Sequence, residues 1–108
     1  MKKQRKVWAS AQLRDLVNAY WRPRTEYTSA GDVARAAVND IADAVTVDEL
    51  LADHDMPGRL SIRVYIEDDV WEAAIAKASE AGISINSAVR RRLLNMMGHT
   101  NDDRTEDA

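Results

Sequence analysis

Cysteine is absent from this chain of 108 residues, which excludes disulfides and thiolate metal sites. The two histidines, His54 and His99, stand too far apart for a metal-ligand cluster to be assembled by spacing. Long apolar runs are missing as well, and with them a membrane-spanning helix. A catalytic constellation is also lacking, because the carboxylates are plentiful but no histidine, cysteine or lysine is placed with them. Neither an enzyme nor a cofactor is therefore expected. "MKKQRK" has the charge of a signal-peptide n-region, but "VWASAQLRDLV" brings charge too early for an apolar core to follow. The expectation is a soluble cytoplasmic protein with no membrane partner. Its length allows one domain, or two very small repeated units sharing a core.

Apolar residues make up 45% of the chain, enough for a modest core. The net charge of −3 is the sum of an uneven distribution. Residues 1–24 carry +6, residues 25–58 carry −7, residues 59–98 carry +1 and residues 99–108 carry −3. Solvated surface is the plain reading of such blocks, but segregation on this scale makes the isoelectric point a poor guide to any one face.

"RLSIRVYIEDD" alternates as a strand does: Ile62, Val64 and Ile66 fall on one face, and Ser61, Arg63 and Tyr65 on the other. Glu67, Asp68 and Asp69 then supply the negative charge favoured at a helix start. In "EDDVWEAAIAKASEAG", Val70, Ala74 and Ala78 recur at helical spacing with Trp71 and Ile75 alongside, and Gly82 is placed to end the helix. "SINSAVRRRLLNMMG" predicts a second helix, with Ser84, Asn86 and Ser87 as possible caps, Val89, Leu93 and Met97 as its stripe, and Gly98 as its stop.

The same order recurs upstream. In "KKQRKVWAS", Val7 and Ala9 share one parity and Gln4, Lys6 and Trp8 the other. A helix capped by Ser10 follows, with Leu13, Leu16, Val17 and Tyr20 at helical spacing, and "RPRTEY" interrupts it because Pro23 cannot continue a helix interior. "TSAGDVARAAVNDIADAV" presents Val33, Ala37, Val38 and Ile41. Val7 matches Val64 at an offset of 57, and Val33 matches Val89 at 56. The expected division is a first, divergent unit at 1–42, an acidic linker at 43–58, a second unit at 59–98 and a disordered acidic tail at 99–108. Thr46 and Glu49 have capping-box spacing in the linker, which predicts a short helix, and Pro57-Gly58 breaks the chain before the strand.

Residues 60–97, "LSIRVYIEDDVWEAAIAKASEAGISINSAVRRRLLNMM", resemble a ribbon-helix-helix unit of the family that includes the Arc and MetJ repressors. The resemblance implies a mainly α fold with one short two-stranded antiparallel ribbon, completed in this chain by the weaker first copy as an intrachain pseudodimer. It implies that Ser61, Arg63 and Tyr65 face the major groove of double-stranded DNA, with Gln4, Lys6 and Trp8 as their counterparts. It also implies phosphate contacts at the starts of the second helices, at Ile85, Asn86 and Ser87 and, in the first copy, at Ser29, Ala30 and Gly31. The chemistry of the side chains agrees: a two-stranded ribbon fits the major groove, and arginine has the donor fork for guanine. The first copy departs from the pattern in its few β-formers, in "RPRTEY" and in Gly31 at its second helix.

The expected function is sequence-specific DNA binding, as a transcriptional repressor or a plasmid or phage accessory factor, by a monomer with pseudo-two-fold symmetry that can assemble further on DNA. The alternative is a protein-binding module on the same fold, an antitoxin-like partner or a modulator of a host protein, whose acidic linker or tail faces a basic partner. Several residues have plainer readings. Arg63 can be a solvated strand residue, Tyr65 an interface aromatic, and Trp8 a core residue if the first strand takes the other register. Arg90 and Arg91 are expected to be solvated or salt-bridged, Arg92 to cover core with its stem, and Met96 and Met97 to pack in the core or between chains.

Overall fold

The computed structural model describes residues 2–52 and 55–98, and the expectation of a disordered tail lies outside them. The chain runs β1 (Lys2–Ala9), α1 (Ala11–Trp21), α2 (Ala30–Asp43), α3 (Val47–Ala52), β2 (Leu60–Glu67), α4 (Asp68–Glu80) and α5 (Ile85–Met96). It is mainly helical, with one two-stranded antiparallel sheet and five helices among the described residues. No helix among them is long and apolar enough to cross a membrane.

Local chemistry accounts for the helix starts. The Oγ atoms of Ser10, Ser29 and Ser84 accept the N–H groups of Leu13, Asp32 and Ser87 at 3.0, 3.2 and 3.1 Å, each satisfying a donor that the first turn leaves open. Thr46 and Glu49 form a reciprocal capping box, with Glu49 N–H donating to Thr46 Oγ1 at 3.1 Å and Thr46 N–H to Glu49 Oε2 at 3.0 Å. Gly82, at φ +75°, lets Ile83 N–H return to Ala78 O and so closes α4 before α5. The connection from α1 to α2 has no such glycine. Its turn is held instead by Arg24, whose guanidinium lies 3.7 Å from the Tyr20 ring centroid and donates to Tyr20 O at 2.6 Å.

The strands pair within the one chain, with Gln4 opposite Tyr65, Lys6 opposite Arg63, Val7 opposite Ile62 and Trp8 opposite Ser61. The inner face of the ribbon (Val7, Ala9, Ile62, Val64 and Ile66) is buried on the helices. Leu13 and Val17 of α1, Val33, Ala37, Val38 and Ile41 of α2, Trp71, Ala74 and Ala78 of α4, and Val89 and Leu93 of α5 complete one core drawn from both halves of the chain. Ile75, which the sequence sets beside the α4 stripe, is 37% exposed, and Met96 and Met97 are half-buried against the core.

The linker is fastened to both halves. Ser10 N–H donates to Met56 O at 3.1 Å where the chain passes the β1–α1 junction. Gly58 allows that passage, since a Cβ on it would lie 2.3 Å from Ser10 Cα. Lys77 of α4 donates to Val45 O at 2.6 Å beyond the end of α2, and Arg92 of α5 pairs with Asp40 of α2 at 3.0 Å.

Candidate nucleic-acid interface

The outer face of the ribbon collects all six side chains that the alternation assigned to it. Gln4, Lys6, Trp8, Arg63 and Tyr65 are exposed and Ser61 is half-buried. Trp8 is 43% and Tyr65 58% exposed, so the register that would send Trp8 into the core is not the one adopted. At the middle of this face two cations stand directly across from each other, Lys6 and Arg63. Lys6 Nζ lies 6.0 Å from the Trp8 ring centroid, and neither cation meets a carboxylate among the described residues. Like charges at opposed positions cost a sheet a few tenths to about 1 kcal/mol.

The two second helices start beside opposite edges of the ribbon. The start of α2 lies against β2, so close that a Cβ on Gly31 would sit 2.4 Å from Arg63 O. The start of α5 lies against β1, where Asn86 Oδ1 accepts Trp8 N–H at 2.9 Å and Arg90 Nη1 donates to Trp8 O at 2.7 Å. These contacts close the β1 edge at Trp8 to any further strand. They bring Ile85, Asn86 and Ser87 to one end of the outer face, and Ser29, Ala30 and Gly31 to its β2 side.

Both helix starts also carry a carboxylate that the sequence reading did not bring there. Asp32, in the first turn of α2, accepts Thr28 N–H at 2.8 Å, Thr28 Oγ1 at 2.6 Å and Arg35 Nη2 at 3.2 Å. The Thr28 hydrogen bonds, side-chain first, and the Arg35 charge hold its carboxyl below the ordinary range. At α5 the carboxylate comes from the linker. Asp55 accepts Arg90 Nε at 2.7 Å, Arg90 Nη2 at 3.0 Å and Ser87 Oγ at 2.8 Å. Burial pushes Asp55 up, but the hydrogen bonds from Arg90 and Ser87, the Arg90 charge and the Met56 N–H outweigh it and hold the carboxyl low. Of the two expectations for Arg90, solvated or salt-bridged, the second holds: only 8% exposed, it pairs with Asp55 and ties linker, α5 and β1 together.

Beside β2 a cleft of about 560 Å³ opens between α1, the start of α2 and the ribbon, with Arg14, Asn18, Arg35 and Arg63 on its walls. Arg14 and Asn18 share one face of α1 at i, i+4 spacing, a pairing visible in sequence. Nothing local indicated that this face looks onto the ribbon. On the opposite side Arg5 points inward, pairing with Asp68 at 3.1 Å and lying 5.5 Å from the Trp71 ring centroid. No group of acidic, histidine or cysteine side chains that could hold a metal occurs among the described residues. No protein-family model, curated protein or solved structure matches the chain.

Proposed function

We propose that this chain is a sequence-specific double-stranded DNA-binding protein of ribbon-helix-helix type, acting as a repressor or a plasmid or phage accessory factor. In this reading residues 1–42 and 59–98 are two divergent units forming an intrachain pseudodimer. The reading rests on one observation above the rest: the unpaired Lys6–Arg63 couple at the exposed centre of the ribbon. Two opposed cations with no counter-ion among the described residues weaken the ribbon, and an anionic groove lined with acceptors offsets that cost. Arg63 has the planar fork for the O6 and N7 of guanine, and Lys6 can reach a neighbouring acceptor or phosphate.

The register supports the two-unit reading. Lys6 and Arg63 differ by 57 positions, the same offset that relates Val7 to Val64. A two-fold rotation between Lys6 and Arg63 therefore exchanges Gln4 with Ser61 and Trp8 with Tyr65, as a ribbon built from two copies requires. At the helix starts the Asp32 and Ser87 N–H groups are taken by the serine caps and each start carries a carboxylate, so flanking phosphates would fall to the first N–H groups, those of Ala30 and Gly31 and of Ile85 and Asn86. Because the exchanged residues differ, one chain reads an asymmetric element, whereas a two-chain ribbon reads a palindrome.

Sequence selection from random duplex DNA at two salt concentrations tests the proposal. It is expected to enrich one short non-palindromic element at both. Affinity should fall with salt at a slope of about 0.9 for each phosphate neutralised. Failure to enrich any element would refute it.

A further inference from the structure

The reading face is not uniformly polar. Its centre is cationic, and each end pairs one aromatic side chain with one small or amide side chain across the ribbon: Tyr65 with Gln4, and Trp8 with Ser61. The two aromatics lie on a diagonal, one on each strand. Both are far more exposed than a core role allows, at 58% and 43%. Trp8 is also held in place, since Asn86 and Arg90 of α5 take up its backbone N–H and C=O. A large apolar group held on a surface that otherwise carries charge and amide offers a contact to an apolar group in the groove.

The major groove offers one such group, the thymine 5-methyl. From the DNA-binding reading above, we propose that the two ends of the ribbon each recognise an A·T pair through its thymine methyl, Tyr65 at one end and Trp8 at the other. Gln4, directly across from Tyr65, has the bidentate amide that fits adenine N6 and N7, so the Gln4–Tyr65 couple presents complementary chemistry to both bases of one pair. Ser61, across from Trp8, donates or accepts and leaves that end to the methyl contact. Residues two apart on one strand face are about 6.7 Å apart, close to two base-pair rises of about 3.4 Å. The thymines therefore lie within about two base pairs of the central guanine, on either side of it. The diagonal places them on opposite DNA strands.

The test uses the full chain and the duplex obtained by selection, with deoxyuridine replacing thymine at each flanking position in turn. Deoxyuridine keeps every hydrogen-bonding group and removes only the methyl. Each replacement is expected to weaken binding by the wild-type protein about fourfold, the worth of one buried methyl. Tyr65→Ala should abolish the sensitivity at one position and Trp8→Ala at the other. Equal affinity for the thymine and deoxyuridine duplexes would overturn the inference while leaving DNA binding intact, as would sensitivity that survives both substitutions. Failure of the wild-type chain to select or bind any duplex would overturn the DNA-binding reading itself, and this inference with it.

Discussion

The segments 2–43 and 60–96 each run strand, helix, helix, yet they solve the same local problems with different residues. The later segment turns between its helices on Gly82 in the left-handed region; the earlier one needs the Arg24–Tyr20 stack and a longer connection. The α5 stripe fills the core with Val89, Leu93 and Leu94, whereas α2 offers Val33, Ala37 and Val38 at the matching positions. At the helix starts, α2 carries its own acid, Asp32, whereas α5 borrows Asp55 from the linker. The earlier segment is thus self-contained at this point, and the later one depends on the linker for its charge balance. The two segments meet in one ribbon register but divide the work of holding it differently.

The largest expected consequence concerns the core. Leu93→Ala should destabilise the protein by about 4 kcal/mol in denaturant unfolding, because a buried leucine leaves a cavity. Its counterpart Ala37 is already small, and Ala37→Leu should cost less, about 2 kcal/mol, through overpacking. Equal costs would mean that the two helices fill the core alike and would erase the comparison.

Arg90→Ala comes next, at about 2 kcal/mol, since it strands a half-buried Asp55 carboxylate and frees Trp8 O. The effect has a pH signature. Asp55 has a depressed folded-state pKa, so its stabilising contribution is present above the ordinary carboxylate range and disappears as pH falls through the depressed value. The gap in stability between wild type and Arg90→Ala should be widest near neutrality and narrow below about pH 4. An unchanged gap across that range would remove the ion pair from the account. Arg35→Ala, at the more exposed pair with Asp32, should cost under about 1 kcal/mol.

The smallest effect on folding is expected on the ribbon. Arg63→Ala should leave the thermal midpoint unchanged or slightly higher, because it relieves the opposed cations. On the selected duplex it should cost about 2 kcal/mol of affinity and relax preference at one base pair. Lys6→Ala should weaken binding to all sequences more evenly. Identical behaviour of the two variants would make Arg63 a phosphate contact like Lys6.

Much of the architecture was legible because local signals carried it. Alternation in "SIRVYIE" set both faces of β2, Ser10 marked a helix start, Ser84 was one of three cap choices for another, and the Thr46–Glu49 spacing located α3. The pairing of β1 with β2 followed from the recurrence of order rather than from β-propensity, which is poor in "KKQRKVWA". The burial of Arg90 was not legible. Its partner Asp55 lies 35 residues away in a loop, and "RRR" on a helix looks alike whether one arginine is buried or none is. The cleft walled by Arg14 and Arg35 was hidden for the same reason: it forms where α1, α2 and β2 meet, and no single element shows it.

Whether the outer ribbon face is the surface that meets DNA is tested most directly by nuclear magnetic resonance during titration with the selected duplex. The largest shifts are expected at the backbone amides of Gln4, Lys6, Trp8, Arg63 and Tyr65 and at the Trp8 indole N–H, with smaller ones at Ile85 and Asn86. Shifts confined to α3 and the acidic linker, with the ribbon signals unmoved, would contradict the account.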